Sequence, residues 1–90
     1  MEFKVKVKNP LGLHTRPATN IVRVLQNSQS HVSFTYKKQT INAKSILSIL
    51  LLAVTRNSTI TVLIDGRDAR EVKERICEVL QNPYEDICTL

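Results

Sequence analysis

The hydrophobic pattern of this 90-residue chain predicts an α+β fold: a four-stranded antiparallel sheet covered on one face by three helices, in the order βαββαβα. Three observations predict it. Apolar and polar residues alternate at Phe3–Val7, Val32–Tyr36 and Ile60–Ile64, the mark of a sheet with one dry and one wet face. Apolar residues recur at helical spacing after Thr15 and again after Asp68. The connections are short, and nothing reads as an interdomain linker.

Taken in order, the first strand sets Phe3, Val5 and Val7 against Lys4, Lys6 and Lys8, which read as a solvated face. Asn9-Pro10-Leu11-Gly12 is turn chemistry. The first helix carries Ala18, Ile21, Val22 and Leu25 on one side, with Pro17 near its start, and ends at Asn27-Ser28-Gln29-Ser30. The second strand buries Val32, Phe34 and Tyr36 and leaves His31 on the wet face. Lys37-Lys38-Gln39 reads as a hairpin tip without the usual glycine, leading into a short strand at Thr40–Asn42. Ser45 suits the N-cap of a short helix through about Leu52. Arg56-Asn57-Ser58 is a turn in which Asn57 tolerates a left-handed conformation. The fourth strand, Thr59–Asp65, aligns Ile60, Val62 and Ile64. Asp68 and Glu71 resemble a capping box for a last helix striped by Ala69, Val72, Ile76, Val79 and Leu80, which Asn82-Pro83 stops. Residues 1–90 therefore form a single domain, with a core over about 2–81 and a short tail over 82–90.

Composition narrows the function. Apolar residues at 42% and charged residues at 23% fit a globular chain. The longest apolar run, Ile49–Val54, is far too short for membrane insertion, and MEFKVKVK lacks the apolar segment of a secretory signal, so a cytoplasmic chain is expected. Cys77 and Cys88 form no disulfide framework and have no zinc-ligand spacing; both read as reduced, and neither a metal nor a cofactor is expected. Residues 1–45 carry eight basic side chains and one acid, for +7, whereas residues 46–90 carry five basic and seven acidic, for −2. A basic surface facing an anionic partner follows, and charge alone leaves nucleic acid, phosphate and acidic protein open.

One segment has the ingredients of a reactive site: Gly12-Leu13-His14-Thr15-Arg16-Pro17-Ala18. At a strand-to-helix junction, the first helical amides have no intrahelical partner and present partial positive charge, a ready place for an anion. His14 stands at that end, Arg16 offers a forked donor for phosphate oxygens, Pro17 presets the first turn, and Gly12 lets another molecule's backbone approach closely. Loop histidines and solvated arginines are common, so residue types alone leave the plain reading open.

The same segment resembles the active-site signature of the HPr family, histidine-containing phosphocarriers of the bacterial phosphoenolpyruvate-dependent phosphotransferase system. Thr40-Ile41-Asn42-Ala43-Lys44-Ser45-Ile46-Leu47 resembles the second signature of that family, around its regulatory serine. Both stand at the family's spacing, and the resemblance extends over roughly residues 2–81. It implies an open-faced β-sandwich and a cytoplasmic, monomeric, stoichiometric phosphoryl carrier that is not an enzyme in the strict sense. By that resemblance His14 takes a phosphoryl group on Nδ1 from phospho-enzyme I, with Arg16 as its electrostatic partner and Gly12, Thr15 and Pro17 shaping the loop. The group then passes to a histidine of an enzyme IIA domain, for sugar uptake or regulation. Ser45 stands where HPr kinase/phosphorylase acts in this family. Ile46, Leu47 and Leu50 correspond to an exposed docking patch, flanked by Thr19, Asn20 and Arg23 from the first helix, while Ile49 and Leu52 read as core.

Several residues depart from the family pattern: Ser48 and Lys38 replace common glycines, and Asn57 stands where glycine is usual. The lead-in Asn9-Pro10-Leu11-Gly12 and the run Ile49–Leu52 are similar to NPr, the nitrogen-branch relative. Two alternatives stand beside transport, an NPr-type regulatory carrier and a regulator acting through Ser45 phosphorylation and binding with His14 idle, and the +7 amino-terminal half suggests a third, a nucleic-acid module. No nucleic-acid partner is expected, because two Phe, two Tyr and no Trp give no obvious stacking platform.

Overall fold

The computed structural model describes residues 1–81. The expected tail, with Cys88 and the Asn82-Pro83 stop, lies outside the described residues. The order of elements is the expected one: β1 (Glu2–Lys6), α1 (Thr15–Gln26), β2 (His31–Tyr36), β3 (Gln39–Asn42), α2 (Ile46–Leu51), β4 (Thr59–Asp65) and α3 (Ala69–Gln81). The strands form one antiparallel sheet in the order β1-β4-β2-β3. Registers Phe3↔Val62, Val62↔Phe34 and Phe34↔Ile41 run one apolar row across all four strands. One position along, Lys4, Thr61, Thr35 and Thr40 make a row on the opposite, solvated face.

Among the described residues, only the first face is covered. Val5, Val32, Phe34, Ile60, Val62 and Ile64 are buried there with Ile21 and Leu25 of α1, Ile49 of α2, and Val72, Ile76 and Leu80 of α3. Each such aliphatic or aromatic side chain contributes about 1.5–3 kcal/mol relative to exposure, so this layer holds the helices to the sheet. Lys4, Lys6 and Lys8 are exposed, as is His31.

Two turns use left-handed backbone without glycine. Lys37 and Lys38 at the β2–β3 tip have φ of 48° and 67°, the pair of positive values that a two-residue hairpin requires. Asn57 has φ 69°, as its residue type allows, and its N–H donates to the Val7 carbonyl at 2.7 Å. A third, Ala53 with φ 54°, follows the end of α2 and was not signalled by its residue type.

The Asp68 carboxylate is not confined to the start of α3. It accepts from Ser28 Oγ at 3.3 Å, from the Gln29 amide at 3.0 Å and from Ser30 Oγ, so it pins the α1–β2 connection to the β4–α3 turn. The capping-box reading of Asp68 therefore misses its longest-range work, because Ser28 and Ser30 are 40 and 38 residues away in sequence.

Candidate functional site

His14 is the N-cap of α1, with extended backbone (φ −89°, ψ −167°), and its carbonyl accepts the Ala18 amide at 3.1 Å. The ring makes no capping hydrogen bond to the helix and is half-buried. Pro17, third in the helix and buried, brings no N–H, so the amides that open α1 beside the histidine are those of Thr15 and Arg16. Arg16 is half-buried in the first turn. Half-buried Arg16, Thr19 and Asn20 and exposed Arg23 make the outer side of α1, opposite buried Ala18, Ile21, Val22 and Leu25. Thr19 returns its hydroxyl to the Thr15 carbonyl at 2.7 Å, which fixes its rotamer against the helix.

The loop that presents His14 is anchored on both sides. Lys8 N donates to the Leu80 carbonyl at 2.7 Å and Asn9 Nδ2 to the Val79 carbonyl at 2.9 Å, which satisfies carbonyls in the last turn of α3. Gly12 N closes a turn onto the Asn9 carbonyl at 2.9 Å. Leu13 N then donates to the Val54 carbonyl at 3.0 Å, and the Leu13 side chain is buried. Asn9 and Leu13, the buried ends of this loop, anchor it to α3 and to the segment after α2, a role that the sequence reading did not assign to them. Their signal was faint: an asparagine before proline looks like any turn residue.

Gly12 serves a different purpose from the one expected of it. It is buried with φ 70°, and a Cβ there would overlap the Val54 carbonyl oxygen and lie 3.0 Å from Thr55 Cα. The close approach it permits is to the chain's own backbone.

Ser45 is the N-cap of α2, as expected, and its Oγ accepts the Ser48 amide at 3.2 Å. Asn42 Oδ1 accepts the Lys44 amide at 2.9 Å and shapes the turn before it. Because the far end of α2 leads into Val54, which holds the Leu13 amide, Ser45 stands one helix length, roughly 9 Å, from the end that abuts the histidine loop. On α2, Leu47 is 66% exposed and Ile46 37%, while Ile49 and Leu52 are core. Leu50 is only half-buried and packs against that core, whereas Leu51, not expected in the patch, is 71% exposed. The α2 turn is short enough that apolar residues point both ways, so composition could not sort Leu50 from Leu51. Among the described residues, no group of three His, Cys, Asp or Glu side chains is arranged to hold a metal ion.

A family model described as "PTS HPr component phosphorylation site" matches residues 1–82. The chain belongs to the HPr family. Curated relatives carry the name phosphocarrier protein HPr. That of Chlamydia muridarum (strain MoPn / Nigg) is 37% identical over 81 residues, covering 90% of this chain and 78% of the relative. That of Xylella fastidiosa (strain Temecula1) is 33% identical over 86 residues, covering 96% and 97%. The crystal structure of HPr from Bacillus anthracis str. Ames is 32% identical, with a TM-score of 0.85 and coverage of 90% of this chain and 96% of that one. This HPr-family chain shares with that structure the four-stranded sheet and its three helices, and phosphoryl carriage is the role consistent with its family.

Proposed function

We propose that His14 is the residue that carries the phosphoryl group, receiving it from phospho-enzyme I and passing it to an enzyme IIA domain. The observation that carries this reading is the place of His14: it caps α1 by its backbone, its ring does not cap the helix, and the helix's positive end faces it. In the step proposed, a ring nitrogen attacks the phosphorus of the donor's phosphohistidine. A new N–P bond forms as the donor's N–P bond breaks, and the donor's histidine leaves with the electron pair. Arg16, in the first turn, supplies fixed positive charge for the phosphoryl oxygens. The site is half-exposed rather than enclosed, which suits a carrier: a deep pocket would stabilise the phosphorylated form and slow its discharge. The chain then acts as a stoichiometric carrier in the cytoplasm, alongside its donor and acceptor.

Docking is assigned to Ile46, Leu47 and Leu51 of α2, with half-buried Leu50 at its base and Thr19, Asn20 and Arg23 of α1 beside it. A central apolar patch with polar and basic surroundings fits a protein partner. Ser45, next to Ile46, is the assigned site of HPr kinase/phosphorylase. A phosphate there adds about −1.5 to −2 charge beside the patch and hinders docking without refolding the domain.

The test is phosphorylation of the purified chain by phosphoenolpyruvate and active enzyme I, read by intact mass. One acid-labile phosphoryl group, absent from His14→Ala, is the expected result. Absence of transfer from a demonstrably active cognate enzyme I, or undiminished labelling of His14→Ala, overturns the assignment.

A further inference from the structure

Between Phe3 and Ile64 the sequence holds no Asp or Glu, and the fold gathers cations from that stretch at one end of the sheet. β1 ends at Lys6, opposite Thr59 at the start of β4, and β2 reaches the same end at Tyr36 before the Lys37-Lys38 tip. The turn carrying Arg56 is tied to both neighbours. Asn57 N donates to the Val7 carbonyl at 2.7 Å and Val7 N to the Ser58 carbonyl at 2.8 Å. On the other side, the Ser58 hydroxyl lies 3.2 Å from the Tyr36 hydroxyl, and Lys37 Nζ stands 5.3 Å from the Tyr36 ring centre. Lys6, Lys8, Lys37, Lys38 and Arg56, all exposed, therefore share one end. Glu2, Asp65 and Asp68 mark the opposite end, and the other described acids lie on α3. Lys8 also begins the loop that presents His14, and the Leu13 amide bonds to Val54, two residues before Arg56, so the histidine loop is joined to this cationic end from both segments.

We propose that this sheet end, built by Lys6, Lys8, Lys37, Lys38 and Arg56 and separate from the α1–α2 patch, is an electrostatic guide for an acidic surface on the protein that exchanges phosphoryl groups with His14. The proposal rests on the phosphocarrier reading above. Acidic protein fits better than the other polyanions. The Tyr36 ring is half-buried and engaged by Lys37 and Ser58, so it offers no stacking face to single-stranded nucleic acid. Segments 37–40 and 55–59 present no large apolar side chain to insert into a lipid surface. Rim charges of this kind act on encounter rate and salt dependence more than on the bound state.

The test compares phosphoryl transfer from phospho-enzyme I to the wild-type chain, to the double variant K37E/K38E, and to R67E/R70E, whose charges lie at the opposite end. At low ionic strength kcat/KM for K37E/K38E is expected to fall about tenfold with kcat unchanged, the difference shrinking at high salt, while R67E/R70E changes little. Equal rates for K37E/K38E and wild type overturn the guide while leaving the carrier reading intact. A wild-type chain that accepts no phosphoryl group overturns both. Capture of the wild type by phosphatidylserine vesicles or random duplex DNA, lost in K37E/K38E while transfer is unaltered, assigns the surface to lipid or nucleic acid and also overturns the proposal.

Discussion

Gly12 and Val54 are packed so closely that a single methyl group at Gly12 would occupy the space of the Val54 carbonyl oxygen, the same oxygen that accepts the Leu13 amide at 3.0 Å. The loop that presents His14 is thus clamped to the segment leaving α2. Gly12→Ala adds both the overlap and a left-handed alanine, and is expected to destabilise the fold by about 2–3 kcal/mol. Urea unfolding reads this as a lower midpoint at unchanged slope. A midpoint equal to wild type would mean that the loop relaxes freely and that the clamp is not rigid.

Ala53, one residue before that contact, is in the position that ends α2. Its φ of 54° and its N–H to the Leu50 carbonyl at 3.1 Å are those of a helix terminus where glycine is the usual residue. Left-handed backbone costs a residue with a Cβ roughly 1–2 kcal/mol, and glycine's greater freedom when unfolded returns about 0.4–1 of that. Ala53→Gly is accordingly expected to stabilise the protein by about 1 kcal/mol, a few degrees in Tm, without changing phosphoryl acceptance. A loss of stability would show that the Ala53 methyl group makes a packing contact worth more than the strain.

These two positions show what the sequence could and could not reveal. Period-two alternation in Phe3–Val7 and Ile60–Ile64 was legible because each strand has one wet face, and helical spacing in α1 and α3 because each helix buries one side. The histidine loop was legible as a strand-to-helix junction, since Pro17 marks a helix start and the structure places His14, Arg16 and Pro17 at the beginning of α1. What escaped was whatever depends on a distant partner. Gly12 faces Val54, Asn9 faces Val79, and Asp68 faces Ser28 and Ser30, all across the fold. No local pattern encodes those pairings. Leu50 and Leu51 are adjacent in an all-apolar run, so only tertiary packing decides which of them reaches solvent.

Ser45 has a structural job that any regulatory one must accommodate. Its Oγ accepts the Ser48 amide at 3.2 Å at the start of a six-residue helix, too short to persist without its caps and packing. Ser45→Ala is expected to cost about 1 kcal/mol, and Ser45→Asp, which keeps an acceptor and adds negative charge at a helix start, much less. Urea midpoints of the two variants check the order. Equal losses would mean that the Ser48 bond is not what holds this turn.

Asp68 links stability to acid. Hydrogen bonds from Ser30 Oγ first, then from the Gln29 amide, and also from Ser28 Oγ, hold its carboxyl below its ordinary 3.8, because each favours the ionised form. The unfolded chain then binds a proton at a pH where the folded one does not, so stability rises with pH across that interval. The contribution is fully present above 3.8 and is lost as pH falls through the lowered native value. Asp68→Asn removes the titration. Wild type should therefore exceed the variant in urea midpoint at neutral pH, and the gap should narrow as the solution is acidified through and below 3.8. Measuring both proteins side by side cancels the other carboxylates, which titrate in each. A gap that stays constant to the lowest pH reached would mean that the loop tie does not depend on the carboxylate's charge.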